Sequence, residues 1–435
     1  MRPLAAGLLA FLMLCNCNFG FTSVGSWTEV KGPAAALNGS WAIALNDGRV
    51  GVFGGTLTNG QPSFDTVLYD PLTGSWTKAA PMPGPAFPDV VALLAGGTVL
   101  VEGGRDADGK LLGDTWIFDP VHNSWSQAGS VIEPRSGSQP ALLTDGRLMI
   151  AGGTVPVDAT GQAQNGQTDF KPIPSVEIYD PATRKWSKAG NLNATRSGIT
   201  LVPLKGGGAL AAGGCQGPAS WAPPINLAEV FDPAANTWTV TTPLPTVICG
   251  AGGAMLPDGR ALVVDQYAFT GVARYFFTAT DDAFIYDPKT RAWSLVGGLA
   301  SGGTAALPLH DGRVLVPVLQ TGEQQGRTFK ELVGGQIYDP NLNEWTYVTT
   351  TTVTMPLIYM FNGVPPVVVG LADGTALVIL QTKAVTFHPE KPPPPTQLLD
   401  TPSLTFDLGA AIVVIILLIV IAYRRASRAD AMKLP

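Results

Sequence analysis

The chain has 435 residues, 46% of them hydrophobic and only 14% charged, against roughly a quarter charged in an average soluble domain. With 27 Lys and Arg against 33 Asp and Glu, the net charge of -6 argues against nucleic acid as a partner and against broad adhesion to anionic lipid. The 51 glycines and 37 prolines stop short of low-complexity disorder and read as punctuation of many turns.

Residues 1–17 read as a secretory signal peptide: Arg2, an apolar run over 4–14, then small residues Cys15 and Cys17 around a cleavage site. A helix of that run would span about 16 Å, half of a bilayer core. A lipoprotein alternative at Leu12-Met13-Leu14-Cys15 is weakened by bulky Leu14 next to the cysteine.

From residue 24 to 390 one unit repeats. An aromatic-Asp-Pro-x-x-x-x-Trp string occurs at Tyr69 to Trp76, Phe118 to Trp125, Tyr179 to Trp186, Phe231 to Trp238, Tyr286 to Trp293 and Tyr338 to Trp345. Asp-Pro opens a turn, and the third residue after it (Gly74, Asn123, Arg184, Asn236, Arg291 or Asn343) is often of a type that tolerates a left-handed backbone. Each string is a hairpin between two outer strands. Upstream lies a second hairpin turning at Asp47-Gly48, Gly96-Gly97, Asp145-Gly146, Gly206-Gly207, Asp258-Gly259 or Asp311-Gly312, a type I′ signal. Its second strand ends at a double glycine in four units: Gly54-Gly55, Gly103-Gly104, Gly152-Gly153 and Gly213-Gly214. Asp265-Gln266, Val318-Leu319 and Leu380-Gln381 stand there in units five, six and seven.

Four antiparallel strands per unit make one blade. The seventh unit turns at Asp373-Gly374 and reaches Phe387-His388-Pro389 without a Trp strand, while Ser26-Trp27-Thr28 stands alone before the first unit. The N-terminal strand therefore closes the last blade. With about 52 residues per blade, these motifs resemble the kelch-repeat β-propellers of the bacterial secreted kind, also seen in the central domain of galactose oxidase. The fold class implied is all-β: a seven-bladed kelch-type propeller, with one C-terminal transmembrane helix appended.

After the propeller, 391–407 read as a proline-rich stalk, 408–423 as a charge-free membrane span, and 424–435 as a short basic tail. Arg424, Arg425, Arg428 and Lys433 place that tail in the cytoplasm and the propeller outside. The span also looks like bacterial C-terminal sorting signals that are cut off, and the sequence leaves both readings open.

Strand order puts the Asp-Gly and Asp-Pro turns on a bottom face, and the longer, irregular loops on a top face, where binding usually sits. Candidates at the top of the central funnel are Glu102 with Arg105, Arg135, Arg196, Asp265 and Gln266; an internal charge network is the competing reading. Trp221, Tyr275, Phe276 and Phe277 lie in top loops. Cys215 and Cys249 fall at the top of adjacent blades, and in an exported protein they are expected to make a disulfide, two free buried thiols being the alternative. The resemblance to galactose oxidase implies copper held by two histidines and two tyrosines. His122, His310 and His388 lie in different blades at the bottom, so no copper, other metal or cofactor is expected. The function read from this is recognition of an extracellular protein or glycan by a monomeric, membrane-anchored propeller. A carbohydrate-active propeller enzyme, isomerase- or oxidase-like, working at the funnel is the alternative.

Overall fold

A computed structural model describes residues 25–390 apart from 34–39, 58–60, 85–86, 106–109, 158–169, 217–222, 266–267, 270–276, 279–281, 299–304, 325–326, 350–357, 360–366, 372 and 381–382. The signal segment, stalk, span and tail lie outside the described residues. Among the described residues no helix is long and apolar enough to cross a membrane.

Among the described residues seven antiparallel sheets of at least four strands form the blades, six with their strands paired in sequence order and the seventh closed by the N-terminal strand; the sixth carries an extra short strand, Ile358–Tyr359. The first strand of each sheet touches the first strands of the sheets before and after it, and the seventh touches the first, so the sheets form a closed ring. The seam is a strand-to-strand one. Gly25–Lys31 pairs with Lys383–Pro389, from Gly25 opposite Pro389 to Lys31 opposite Lys383, and completes blade 7.

The core lies between blades, because alternate residues of each buried strand point to opposite neighbours. Leu100 and Ile117 of blade 2 pack with Ile150, Tyr179 and Trp186 of blade 3. The repeated aromatics do this work. Tyr69 and Trp76 lie side by side across strands with ring centroids 4.8 Å apart, and the other five pairs repeat the arrangement. Several Trp indoles then reach the preceding blade: Trp125 Nε1 donates to Ala80 O at 2.9 Å, and Trp345 Nε1 to Val296 O at 2.7 Å.

The Asp-Pro turns have the backbone that their sequence demands. Asp70 O accepts from Gly74 N, the Asp70 carboxylate accepts from Leu72 N, and Gly74 has φ 65°. All five non-glycine equivalents, Arg184 and Arg291 included, share the positive φ. The Asp-Gly turns differ from the type I′ expectation. At Asp47-Gly48 only the glycine has positive φ; Gly48 N donates to Leu45 O and Leu45 N to Arg49 O. This is a type I turn followed by a bulged glycine. The Asp47 carboxylate selects it by accepting from Arg49 N and pairing with the Arg49 guanidinium.

The double glycines let the next connection pass close over each blade. A Cβ on Gly152 would stand 2.6 Å from Arg196 O, and one on Gly213 2.7 Å from Ile248 O. Blade 6 shows the converse. With Val318-Leu319 in place of glycines the backbone makes only a bulge, and the second and third strands, Val314–Gln324 and Arg327–Asp339, run on as one long hairpin. Smaller hairpins rise at the same place in blade 3 (Thr154–Pro156 with Phe170–Pro172) and blade 5 (Ala268–Phe269 with Phe277–Thr278).

Candidate functional site

The connections that cross the top into blades 3 and 4 carry Arg135 and Arg196. Neither side chain opens onto the funnel, as each is 0% exposed. Arg135 donates to Glu133 O, to Gly152 O, to Ser175 O at 2.7 Å and to the carboxylate of Glu177. Glu177 also accepts from Ile132 N and Glu133 N of the same connection. Arg196 repeats the device: it donates to Gly213 O at 2.7 Å, Leu227 O at 2.9 Å and Glu229 at 2.7 Å, while Glu229 accepts from the backbone and side-chain nitrogens of Asn193. Both arginines are clamps that fasten a connection to the blade beneath it. They are removed from the funnel-mouth set.

The clamp partners, Glu177 and Glu229, were missed by reading the arginines alone. Each lies two residues before the aromatic of its Asp-Pro string. The signal was in the repeat. Blades 3 and 4 have both Arg and Glu, whereas blade 2 has Ala86 and Trp116 and blade 5 has Ile248 and Phe284 at the matching positions.

Glu102 ends the second strand of blade 2 and is fully buried. Neither of its carboxyl oxygens has a hydrogen-bond partner among the described residues. Burial raises its pKa well above the usual carboxylate range; Asp89 and Glu177 push the same way, and Arg135 opposes them. Asp89, on the connection into blade 2, accepts from Gly137 N, Ser138 N and Ser138 Oγ of blade 3. Its carboxyl is also raised by burial, and those hydrogen bonds work against the shift. Arg105 stacks on the Phe170 ring of the blade 3 hairpin, 4.6 Å from its centroid, and burial lowers its pKa while Asp89 supports the charge.

Asp265 is fully buried in blade 5, its N–H donating to Asp282 O; Gln266 lies outside the described residues, as do Trp221, Tyr275 and Phe276. Cys215 and Cys249 form a disulfide, Cα atoms 5.5 Å apart, joining the end of blade 4's second strand to the connection into blade 5. The candidates thus fall into separate groups. Glu102, Asp89, Arg135 and Glu177 meet at the wall between blades 2 and 3; Arg196 with Glu229 serves blade 4; Asp265 stands in blade 5.

No family model matches the sequence. Kelch-like protein 25 of Xenopus tropicalis is 24% identical over 184 residues, which is 42% of this chain and 28% of that relative. Thus the chain spans well under a third of that curated protein. The solved structure of YjhT has 17% identity and a TM-score of 0.53, covering 73% of this chain and 99% of YjhT. The chain has the fold of a kelch-type β-propeller. A fungal alcohol oxidase of the AA5 family, solved in complex with copper, has 18% identity and a TM-score of 0.60, covering 84% of this chain and 76% of the oxidase. At these identities the likeness to the solved structures is one of fold.

Among the described residues no three His, Cys, Asp or Glu side chains gather closely enough to hold a metal ion. His122 is bonded to Asp119 in an exposed turn, and His388 contacts Thr386. No chemical step is therefore drawn through copper.

Proposed function

We propose that this kelch propeller is an exported recognition module, held at a membrane by the apolar segment 408–423, which binds an extracellular protein or glycan through its top face. The observation that carries the reading is the asymmetry of the two faces. At the bottom, the Asp-Gly and Asp-Pro turns are short and alike from blade to blade, and their own carboxylates tie them down. At the top, blades 3, 5 and 6 extend the link between second and third strands into hairpins of different lengths. Variable loops on a uniform scaffold are the usual seat of binding. The basic residues after 423 support a propeller on the outside.

The described chain ends beside the bottom face. Arg313, in the bottom turn of blade 6, donates to Glu390 O at 2.7 Å.

The test is binding of the purified full chain to an array of glycans and surface proteins, repeated with 154–172 replaced by the shorter blade 1 link, 56–62. Binding that disappears in the exchange supports a top-face site; binding that survives every hairpin exchange refutes it. The Arg135 and Arg196 clamps are unsuitable probes, because their loss would unseat the scaffold.

A further inference from the structure

We propose that Glu102 is a built-in proton switch in the wall between blades 2 and 3, whose ionisation loosens the seat of the top hairpin of blade 3. The inference goes beyond the recognition reading and does not need the ligand to be known.

Among the described residues Glu102 has no ion pair or hydrogen bond of its own. It shares the blade 2–3 wall with Leu100 and Ile150. The charged groups around it come from four places. Asp89 precedes the first strand of blade 2, and Glu133 and Arg135 lie on the connection into blade 3. Glu177 is on the third strand of blade 3, and Arg105, just past the double glycine of blade 2, supports its charge on Asp89. Arg135 is already committed to Glu177 and to three backbone carbonyls. Burial and the neighbouring carboxyls of Asp89 and Glu177 therefore favour the protonated form of Glu102. Once ionised, it repels Asp89 and Glu177 and competes for Arg135.

Those same groups seat the hairpin. Asp89 holds Gly137 and Ser138. Next to them, Ser136 exchanges two backbone hydrogen bonds with Thr154, the first residue of the hairpin's outgoing leg. On the returning leg, Ile173 N donates to Gly153 O and Ser175 O accepts from Arg135. Both legs are thus attached to atoms whose placement depends on how Arg135 and Asp89 share their charge. The neighbouring wall has no such device: the positions matching Asp89 and Glu102 in blade 3 are Ser138 and Ala151.

The sign follows from the direction of the shift. A carboxyl whose pKa is higher in the folded than in the unfolded state favours folding below the ordinary carboxylate pKa, and that contribution is lost as pH rises through the folded value.

The experiment compares the full wild-type chain with E102Q between about pH 5 and 9, by unfolding midpoint and by hydrogen exchange of 136–157 corrected for intrinsic rate. The expected result is coincident midpoints at the acid end and a midpoint lower in wild type by about 1–3 °C at the alkaline end. Exchange at 136–157 should accelerate with pH in wild type alone. Parallel pH profiles, or equal acceleration in both proteins, overturn the proposal. Should E102Q not accumulate, Glu102→Ala, which copies Ala151, reports the same slope. The infrared carbonyl band of a protonated carboxyl gives a reading on wild type itself: its persistence at neutral pH supports the switch, and its absence refutes it.

Discussion

The connections into blades 3 and 4 are held by one device in two electrostatic settings. Among the described residues Arg196 pairs with Glu229 alone, and the wall beside it offers Ser138 and Ala151. Around Arg135 stand Glu177, Glu133, Asp89 and Glu102, one cation facing four acids. Blade 4 adds the Cys215–Cys249 disulfide toward blade 5, while blade 3 carries the β-hairpin. The clamp works without further carboxylates in blade 4, and blades 2 and 5 close without an Arg–Glu pair at all. The extra acids of the blade 2–3 wall are an addition whose cost the fold does not require.

Breaking the clamp should have the largest effect. Arg196→Ala leaves Glu229 buried without its cation, and a loss of about 3–5 kcal/mol is expected in denaturant unfolding. Replacing Arg196 and Glu229 together by Leu should recover most of it; failure to recover would mean that the guanidinium's bonds to Gly213 O and Leu227 O dominate. The disulfide comes next. Its half-cystines are 34 positions apart, and the loop-closure argument gives about 3–4 kcal/mol for the double Ser variant, measured as the loss on mutation or reduction. Asp89→Ala sharpens the contrast between the two walls. It strips an acceptor from Gly137 and Ser138, costing about 1–2 kcal/mol, and removes a charge that raises Glu102. The alkaline loss of stability should therefore be smaller and complete at lower pH than in wild type. The smallest effect is at Arg291, held at φ 56°: Arg291→Asn should stabilise by about 0.5–1 kcal/mol, while the same change at an extended position should not.

Much of the fold was legible because the repeat states it seven times. The Asp-Pro strings announce the outer hairpins, and the third residue after each Asp-Pro takes the left-handed backbone even where it is Arg184 or Arg291. Closure was legible because Trp27 has no strand partner before the first unit and blade 7 lacks a Trp strand. The site was less so. Arg135 and Glu177 are 42 positions apart, and only the alternation of residues across a pleated strand decides whether they face each other or opposite walls. Read singly, each looks like a polar group available to a ligand. The Asp-Gly turns misled for a local reason: Asp47 spends its carboxylate on Arg49, which no dipeptide preference records.

The closing seam sets the order in which the molecule can come into being. Thr386 Oγ1 donates to Thr28 O across 358 positions of sequence. On a ribosome the strand Gly25–Lys31 emerges before any blade exists, and the segment Lys383–Pro389 that it pairs with is made last. Blades 1 to 6 can assemble from local hairpins as they appear, but the earliest strand must wait, unpaired, for nearly the whole of synthesis. A ring so fastened is completed only by a full-length chain, so a truncated product is left with an open edge on each side of the gap.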